Sequence, residues 1–429
     1  MQKTRRKFLL GGAALGVAAA FPLLRPEALG QGGHTNYFQS LSKALDSAGF
    51  SGPTMVVDLN RLRANATVLS GHLNGHFDYR IVAKSLPALG LLEAVAKQTG
   101  TQRYMVFHLP FLQQLAQSQP QADILLGKPL PIAAAKSFYS RPTTSGFDPR
   151  TQLQWLIDSP RRLQQYAALA GSLEQRLQIN IELDVGLHRG GVSDARDLTE
   201  MLNIIKAEPL LTLSGFMGYD AHAAKMPGIL GGPEKAINRG LEIYTQRLEQ
   251  AKQLLGDQYP KRLTLNGAGS PTYQLYKSRS DSAPCNELAA GSCLVKPTDF
   301  DIPTLSDHKA AAFIASPVLK KLPQTQIPGL EKLTGTMRWL NPNREQTFFI
   351  SGGYWKALPE SPEGLSINPI YGRSTNQEML NASNQVVLQE DDWVFLRPTQ
   401  SESVFLQFGD IAVYDKGEIV ERWPVLSNS

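Results

Sequence analysis

The chain has 429 residues, 42% of them hydrophobic and 19% charged, with a formal net charge of +5. That balance excludes a disordered, collagen-like or membrane-bundle protein and leaves room for a sizeable core and two domains. Lys and Arg are scattered rather than gathered in runs with interleaved aromatics, so no nucleic-acid partner is expected.

The chain opens with "KTRRKFLLGGAALGVAAAFPLL", a basic pair ahead of a small-residue apolar stretch that ends at Pro22. This is the layout of a secretory signal, and Arg5-Arg6, between Thr4 and Phe8-Leu9, resemble the twin-arginine motif. Residues 1–30 are therefore expected to send the protein to the periplasm already folded, a route on which a cofactor acquired in the cytoplasm can travel inside. An uncleaved anchor is the alternative, and the apolar run is short for a bilayer.

After the signal, "TMVVDL" reads as a strand and "NRLRANATVLSGHL" as an amphipathic helix with Leu62, Ala66 and Leu69 on one side. The alternation repeats through "YRIVAK", "RYMVFHL", "ADILLG", "LQWLIDS", "LQINIELDVG", "LTLSGFMGY", "RLTLNGAG" and "ELAAGSCLV". Eight strands separated by helical segments predict an α/β fold, a TIM (β/α)8 barrel over about residues 50–300, with a doubly wound sheet as the alternative. Beyond residue 310 the runs turn β-rich, as in "TFFISGG" and "SVFLQFGDIAVYDKGEIVERWPV", and predict a C-terminal β domain over 310–429 that shares a sheet with "TMVVDL". Cys285 and Cys293 are the only cysteines, and either a disulfide or two buried thiols is consistent with them.

A barrel concentrates chemistry where strands end and βα loops begin. Lys84 ends the first strand, Asp184 to Arg189 the fifth, Tyr219 and His222 the sixth, and Gly267 to Thr272 the seventh. Taken alone, Lys84 is either a strand-end lysine reaching for water or a Schiff-base lysine with a desolvated amine. The small residues of "NGAGSPTY" form either an ordinary loop or a phosphate cup, with backbone N–H groups and the Ser270 and Thr272 hydroxyls as donors. Arg189 either pairs with Asp184 on the rim or donates to a phenolate or carboxylate, and His222 is either a solvated loop residue or a proton-transfer group. His72 and His76 share a helical spacing without a carboxylate or thiol in pattern, so a surface pair is expected there rather than a metal site.

Together, and in this order, these segments resemble the fold-type III pyridoxal-phosphate enzymes, in particular the D-threonine aldolase and D-serine dehydratase branch of the alanine racemase N-terminal-domain superfamily. "GPTMVVDLNRLRAN" is similar to the opening strand and helix, and "RIVAKSLPAL" to the strand with the Schiff-base lysine, which implies that role for Lys84. "IELDVGLHRGGV" is similar to a signature that implies Arg189 as the neighbour of the cofactor's 3-oxygen. "GYDAHAA" implies Tyr219 and His222, and "NGAGSPTY" implies Gly269, Ser270 and Thr272 at the phosphate. The resemblance runs from about residue 52 to 295. It further implies that Tyr354, Trp355 and Lys356 of "FISGGYWKAL" shape the pocket, and that the protein is a homodimer.

One departure stands out. Metal-dependent members of the branch carry a histidine closely followed by cysteine or aspartate after a strand like "DDWVFLRP", whereas this chain reads "TQSESV", with Gln400 and Ser401 in that place. Neither an amide nor a hydroxyl is a convincing zinc or manganese ligand, which puts a divalent metal in doubt. The reaction implied is lyase chemistry, aldolase or dehydratase, on a D-3-hydroxy amino acid. Lys84 and His222 are the catalytic candidates, an amino-acid racemase is the closest alternative, and a non-catalytic cofactor binder is the more distant one.

Overall fold

The computed structural model describes residues 25–141, 146–326 and 339–427, with positions 328, 329, 331 and 335. Arg5-Arg6 and the apolar stretch through Leu24 lie outside the described residues. Two compact units emerge. One holds the residues through Val56, Phe313–Pro398 and Gly417–Ile419; the other holds Val57–Ala312, Thr399–Lys416 and Val420–Ser429. The segment expected to form a continuous domain over 310–429 is thus divided, and Thr399–Lys416 groups with the barrel. Alternating apolar residues identify a strand but not the unit on which it packs.

Chain order begins with α1 (Asn36–Ser47), β1 (Thr54–Asp58) and α2 (Leu59–Leu73). Asp58 caps α2 by accepting the Arg61 backbone N–H, and Asn74 closes it in the left-handed conformation, while Leu62, Ala66 and Leu69 are buried as their spacing predicts. The barrel strands follow: β2 (Asp78–Val82), β3 (Arg103–Val106), β4 (Asp123–Leu126), β5 (Leu153–Ile157), β6 (Leu177–Leu183), β7 (Leu211–Gly218), β8 (Thr264–Gly267) and β9 (Glu287–Ala290). They are parallel and close in sequence order, with β9 pairing back onto β2. Between them lie α3 (Leu89–Thr99), α4 (Leu109–Ser118), α5 (Ile132–Tyr139), α6 (Pro149–Gln152), α7 (Pro160–Leu173), α8 (Ala195–Ala207) and α9 (Gly232–Leu255). After β9 the chain makes a short α10 (Ser292–Val295).

The barrel interior is polar at its floor. Arg80, fully buried on β2, donates from Nε and Nη2 to the two carboxylate oxygens of Glu287 at 2.6 and 2.9 Å, and from Nη1 to the Tyr104 and Asp123 carbonyls. Burial pushes the Glu287 carboxyl up, but the Arg80 charge and the hydrogen bonds from Arg80, Arg103 and Asn266 outweigh it and hold the group below its ordinary value.

The other unit is antiparallel. Its strands β10 (Ala312–Leu322), β11 (Gln346–Ser351), β12 (Ala357–Ser361), β13 (Ser366–Ile367), β14 (Gln377–Ala382) and β15 (Trp393–Pro398) pair as β10–β11, β11–β14, β13–β14, β10–β15 and β12–β15. β1 lies beside β10, so "TMVVDL" joins this sheet. Phe38 of α1 packs edge-on to Phe313 and against Phe395, with ring centroids 5.1 and 4.9 Å apart. The short α11 (Glu402–Phe405), β16 (Asp410–Asp415) and β17 (Glu418–Pro424) complete the chain.

Candidate active site

At the C-terminal ends of the barrel strands opens a cavity lined by Lys84, Arg189, Tyr219, Gly269 and Ser270 among others. Its mixed polar and apolar lining suits a small-molecule ligand.

Lys84 sits just past β2, on a 3-10 turn formed by Ala83–Ser85. The flanking Ala83 and Ser85 are buried, and the Ser85 hydroxyl accepts a hydrogen bond from Ser292 at 2.9 Å, so the turn is tied to the end of β9. The side chain runs into the cavity with Nζ 4.6 Å from the centre of the Phe107 ring. Nζ also lies 2.6 Å from Oε1 of Glu402, the first residue of α11. The two side chains remain 34% and 43% exposed, and a pair so accessible contributes only about 0–1 kcal/mol to stability.

The loop after β6 explains why Arg189 is free to face the cavity. Asp184 accepts the backbone N–H groups of Gly186 and His188 at 3.0 Å and the His188 Nδ1–H at 2.7 Å. Burial raises this carboxyl, but those hydrogen bonds outweigh it and the group lies below its ordinary value. Gly191 lets the loop fold back: its φ is +91°, and a Cβ there would fall 2.6 Å from the Asp184 backbone nitrogen. With Asp184 committed to His188, the Arg189 guanidinium lies over the Tyr219 ring, 4.8 Å from its centre. The Tyr219 phenol is pushed up by burial; Arg189 works against that, while the charges of Asp220 and Glu402 add to it.

The turn after β8 also lines the cavity. Ala268 has a φ of 65°, and a Cβ on Gly269 would fall 2.6 Å from the Tyr219 ring, so only glycine leaves this wall open. Ser270 Oγ accepts the N–H groups of Gly291 and Cys293 at 3.0 and 3.1 Å, joining the turn to α10. Asn266 on the cavity floor donates from Nδ2 to Glu287 at 2.8 Å, so the site rests on the Arg80 network.

Of the residues singled out in the sequence, Lys84, Arg189, Tyr219, Gly269 and Ser270 meet in the cavity. Thr272 does not line it. Its fully buried hydroxyl donates to Asp220 at 2.5 Å, and Tyr276 donates to the other oxygen of the same carboxylate. Thr272 therefore braces the turn from behind. His222 does not line the cavity either, because the chain enters a 3-10 turn at Ala223 and the imidazole rests against Gly186, with Nδ1 buried and without a hydrogen bond. Tyr354, Trp355 and Lys356 belong to the β unit, where Trp355 is buried and Tyr354 is exposed beneath the Arg373 guanidinium.

The remaining candidates resolve simply. Cys285 and Cys293 are free, buried thiols, and burial pushes Cys293 up to about 12. His72 pairs with Asp307 at 2.7 Å. Gln400 donates to Asp299 at 3.2 Å, and among the described residues no group of three or more His, Cys, Asp or Glu side chains could hold a metal ion.

Sequence reasoning passed over Glu402, which lies far from Lys84 along the chain, and Phe107, which looked like an ordinary strand-end aromatic. It also passed over Glu182. That residue shares the inward face of β6 with Asn180, and its carboxyl is pushed up to about 7 by burial and then by the Asp158 charge.

No curated protein matches the chain in sequence. Among solved structures it is similar to a D-threonine aldolase from Filomicrobium marinum, at 14% identity and a TM-score of 0.69 over 88% of this chain and 95% of that one. A D-threo-3-hydroxyaspartate dehydratase from Delftia sp. HT23 is similar at 15% identity and a TM-score of 0.67, over 89% and 99%. An alanine racemase from Clostridium difficile 630 is similar at 15% identity and a TM-score of 0.64, over 87% and 98%. At such identities the likeness shows the fold. The family model for the alanine racemase N-terminal domain matches residues 57–298, more than half of the chain. The chain therefore belongs to the alanine racemase N-terminal domain family of fold-type III enzymes, which bind pyridoxal phosphate and act on amino acids.

Proposed function

We propose that this chain is a pyridoxal-phosphate-dependent lyase acting on a D-3-hydroxy amino acid such as D-threonine or D-serine, by aldol cleavage or by elimination of the hydroxyl. The observation that carries the reading is the convergence of Lys84, Arg189, Tyr219 and the Gly269–Ser270 turn on one cavity. These residues fit the cofactor: the lining of one cavity brings together a primary amine, a glycine turn packed too closely on the Tyr219 ring to take a Cβ, and a guanidinium stacked on that same phenol.

When bound, pyridoxal phosphate supplies an aldehyde for a primary amine and an electron-accepting ring. The chain's own groups supply the rest. Lys84 provides the amine, with its Nζ over the Phe107 ring. Arg189 presents guanidinium N–H groups to an anionic oxygen, and its stacking on Tyr219 fixes their direction. Tyr219, kept protonated by burial, is a hydrogen-bond donor. Gly269 and Ser270 would hold the phosphate, braced through Thr272 and Asp220. The likeness to a D-threonine aldolase and a D-threo-3-hydroxyaspartate dehydratase supports a lyase, and the likeness to an alanine racemase supports the alternative.

The test is to incubate cofactor-loaded protein with D- and L-amino acids, with and without divalent metal, and to score glycine, 2-oxo acid and enantiomer. A lyase yields glycine or a 2-oxo acid from a D-3-hydroxy substrate. An enantiomer without either product makes the protein a racemase, and no turnover makes it a binder. We further propose export by the twin-arginine route; replacing Arg5-Arg6 with lysines should abolish periplasmic accumulation, and unchanged export would refute the assignment.

A further inference from the structure

We propose that Glu402 is the proton-exchange partner of Lys84, a catalytic carboxylate that takes the Nζ proton when the amine acts as a nucleophile and returns it afterwards. The assignment rests on the reading of Lys84 as the residue that binds pyridoxal phosphate.

The geometry provides both a path and a fixed position. Glu402 Oε1 is 2.6 Å from Nζ, whereas the Phe107 ring beside the same ammonium cannot accept a proton. α11 is anchored by Val404 and Phe405, both fully buried. On its other flank, the Asp299 backbone N–H donates to the Thr399 carbonyl at 3.2 Å, and Gln400 donates to the Asp299 carboxylate. The carboxylate is thus held at the cavity by its own segment. Both side chains keep enough exposure to exchange protons with water, and an ion pair so exposed has little structural value. The charged and titratable groups facing the pair across the cavity are Arg189, from the loop after β6, and Tyr219, at the end of β7. Burial raises the Tyr219 phenol and so keeps it protonated, leaving no phenolate to take the Nζ proton.

The step balances. The ammonium proton passes from Nζ to Oε1. The freed lone pair forms the N–C bond to the aldehyde carbon, and the aldehyde oxygen leaves as water with the two remaining amine protons. Glu402 then returns its proton to the nitrogen.

The experiment follows the visible absorbance of protein-bound cofactor after mixing apoprotein with pyridoxal phosphate, across pH, for wild type, Glu402→Gln, Glu402→Asp and Lys84→Ala. Matched circular dichroism and thermal midpoints establish that each variant is folded. Glu402→Gln should load about 100-fold more slowly at neutral pH, with an altered pH profile, while Glu402→Asp recovers most of the rate. Glu402→Gln loading at the wild-type rate would overturn the proposal. A slow variant with an unchanged pH profile would also overturn it, because positioning alone produces that result. Wild type that never acquires the absorbance would refute the cofactor reading and this assignment with it, whereas the other contrary outcomes leave the cofactor reading intact.

Discussion

Two ion pairs in the barrel unit share a donor–acceptor distance of 2.6 Å and almost nothing else. Arg80 and Glu287 meet at the floor of the barrel with both side chains fully buried; Lys84 and Glu402 meet at its mouth with a third or more of each side chain exposed. Arg80 and Lys84 are four residues apart. In the first pair the charges cannot leave, and the Asp123 carboxylate and the Asn266 amide are recruited to satisfy them. In the second, a lysine amine and a carboxylate face an open cavity and can change partners. Distance alone does not distinguish a structural pair from a reactive one; burial and alternative partners do.

The comparison can be broken at several points. Lys84→Ala should lose more than about 10³-fold in turnover while unfolding near wild type in urea, because its partner is left beside water. An equal loss of stability would make this lysine structural. Glu287→Gln leaves the buried Arg80 with only the partly exposed Asp123 carboxylate as counter-ion and should cost about 3 kcal/mol in the same urea titration; a cost below about 1 kcal/mol would contradict the account of the floor.

Glu182 stands between the two cases, because burial and the Asp158 charge set its carboxyl at about 7, above its ordinary value of 4.5. The folded state therefore holds this proton more tightly. The resulting stabilisation is complete below about 4.5 and is lost as pH rises through about 7. Glu182→Gln should shrink the fall in thermal midpoint between pH 5 and pH 8 by about 2–4 °C, and an unchanged fall would show that the carboxyl is not perturbed in this way. The smallest effect is expected for Glu402→Gln, at less than about 1 kcal/mol in urea unfolding; a loss approaching that of Glu287→Gln would erase the distinction between floor and mouth.

Much of the barrel was legible in the sequence because each of its strands is a short apolar run between helical segments, and the strand ends fell where polar clusters stood. Lys84, Arg189, Tyr219 and Gly269 could be read from local context because their loops follow their strands directly. Thr272 and His222 were less legible: sequence places them on the right loops, but the direction of a side chain depends on partners such as Asp220 and Gly186 that only the fold supplies. Glu402 was the least visible. It lies in a segment that the sequence assigns to the C-terminal β domain over 310–429, and nothing local signals that Thr399–Lys416 groups with the barrel unit.

The central claim is that Lys84 is the cofactor-binding amine. Its most direct measurement is borohydride reduction of pyridoxal-phosphate-loaded protein followed by peptide mass spectrometry. The account predicts one phosphopyridoxyl group per chain, on Lys84, and none on that peptide in Lys84→Ala. Labelling of another lysine in wild type, or no labelling at all, would contradict it.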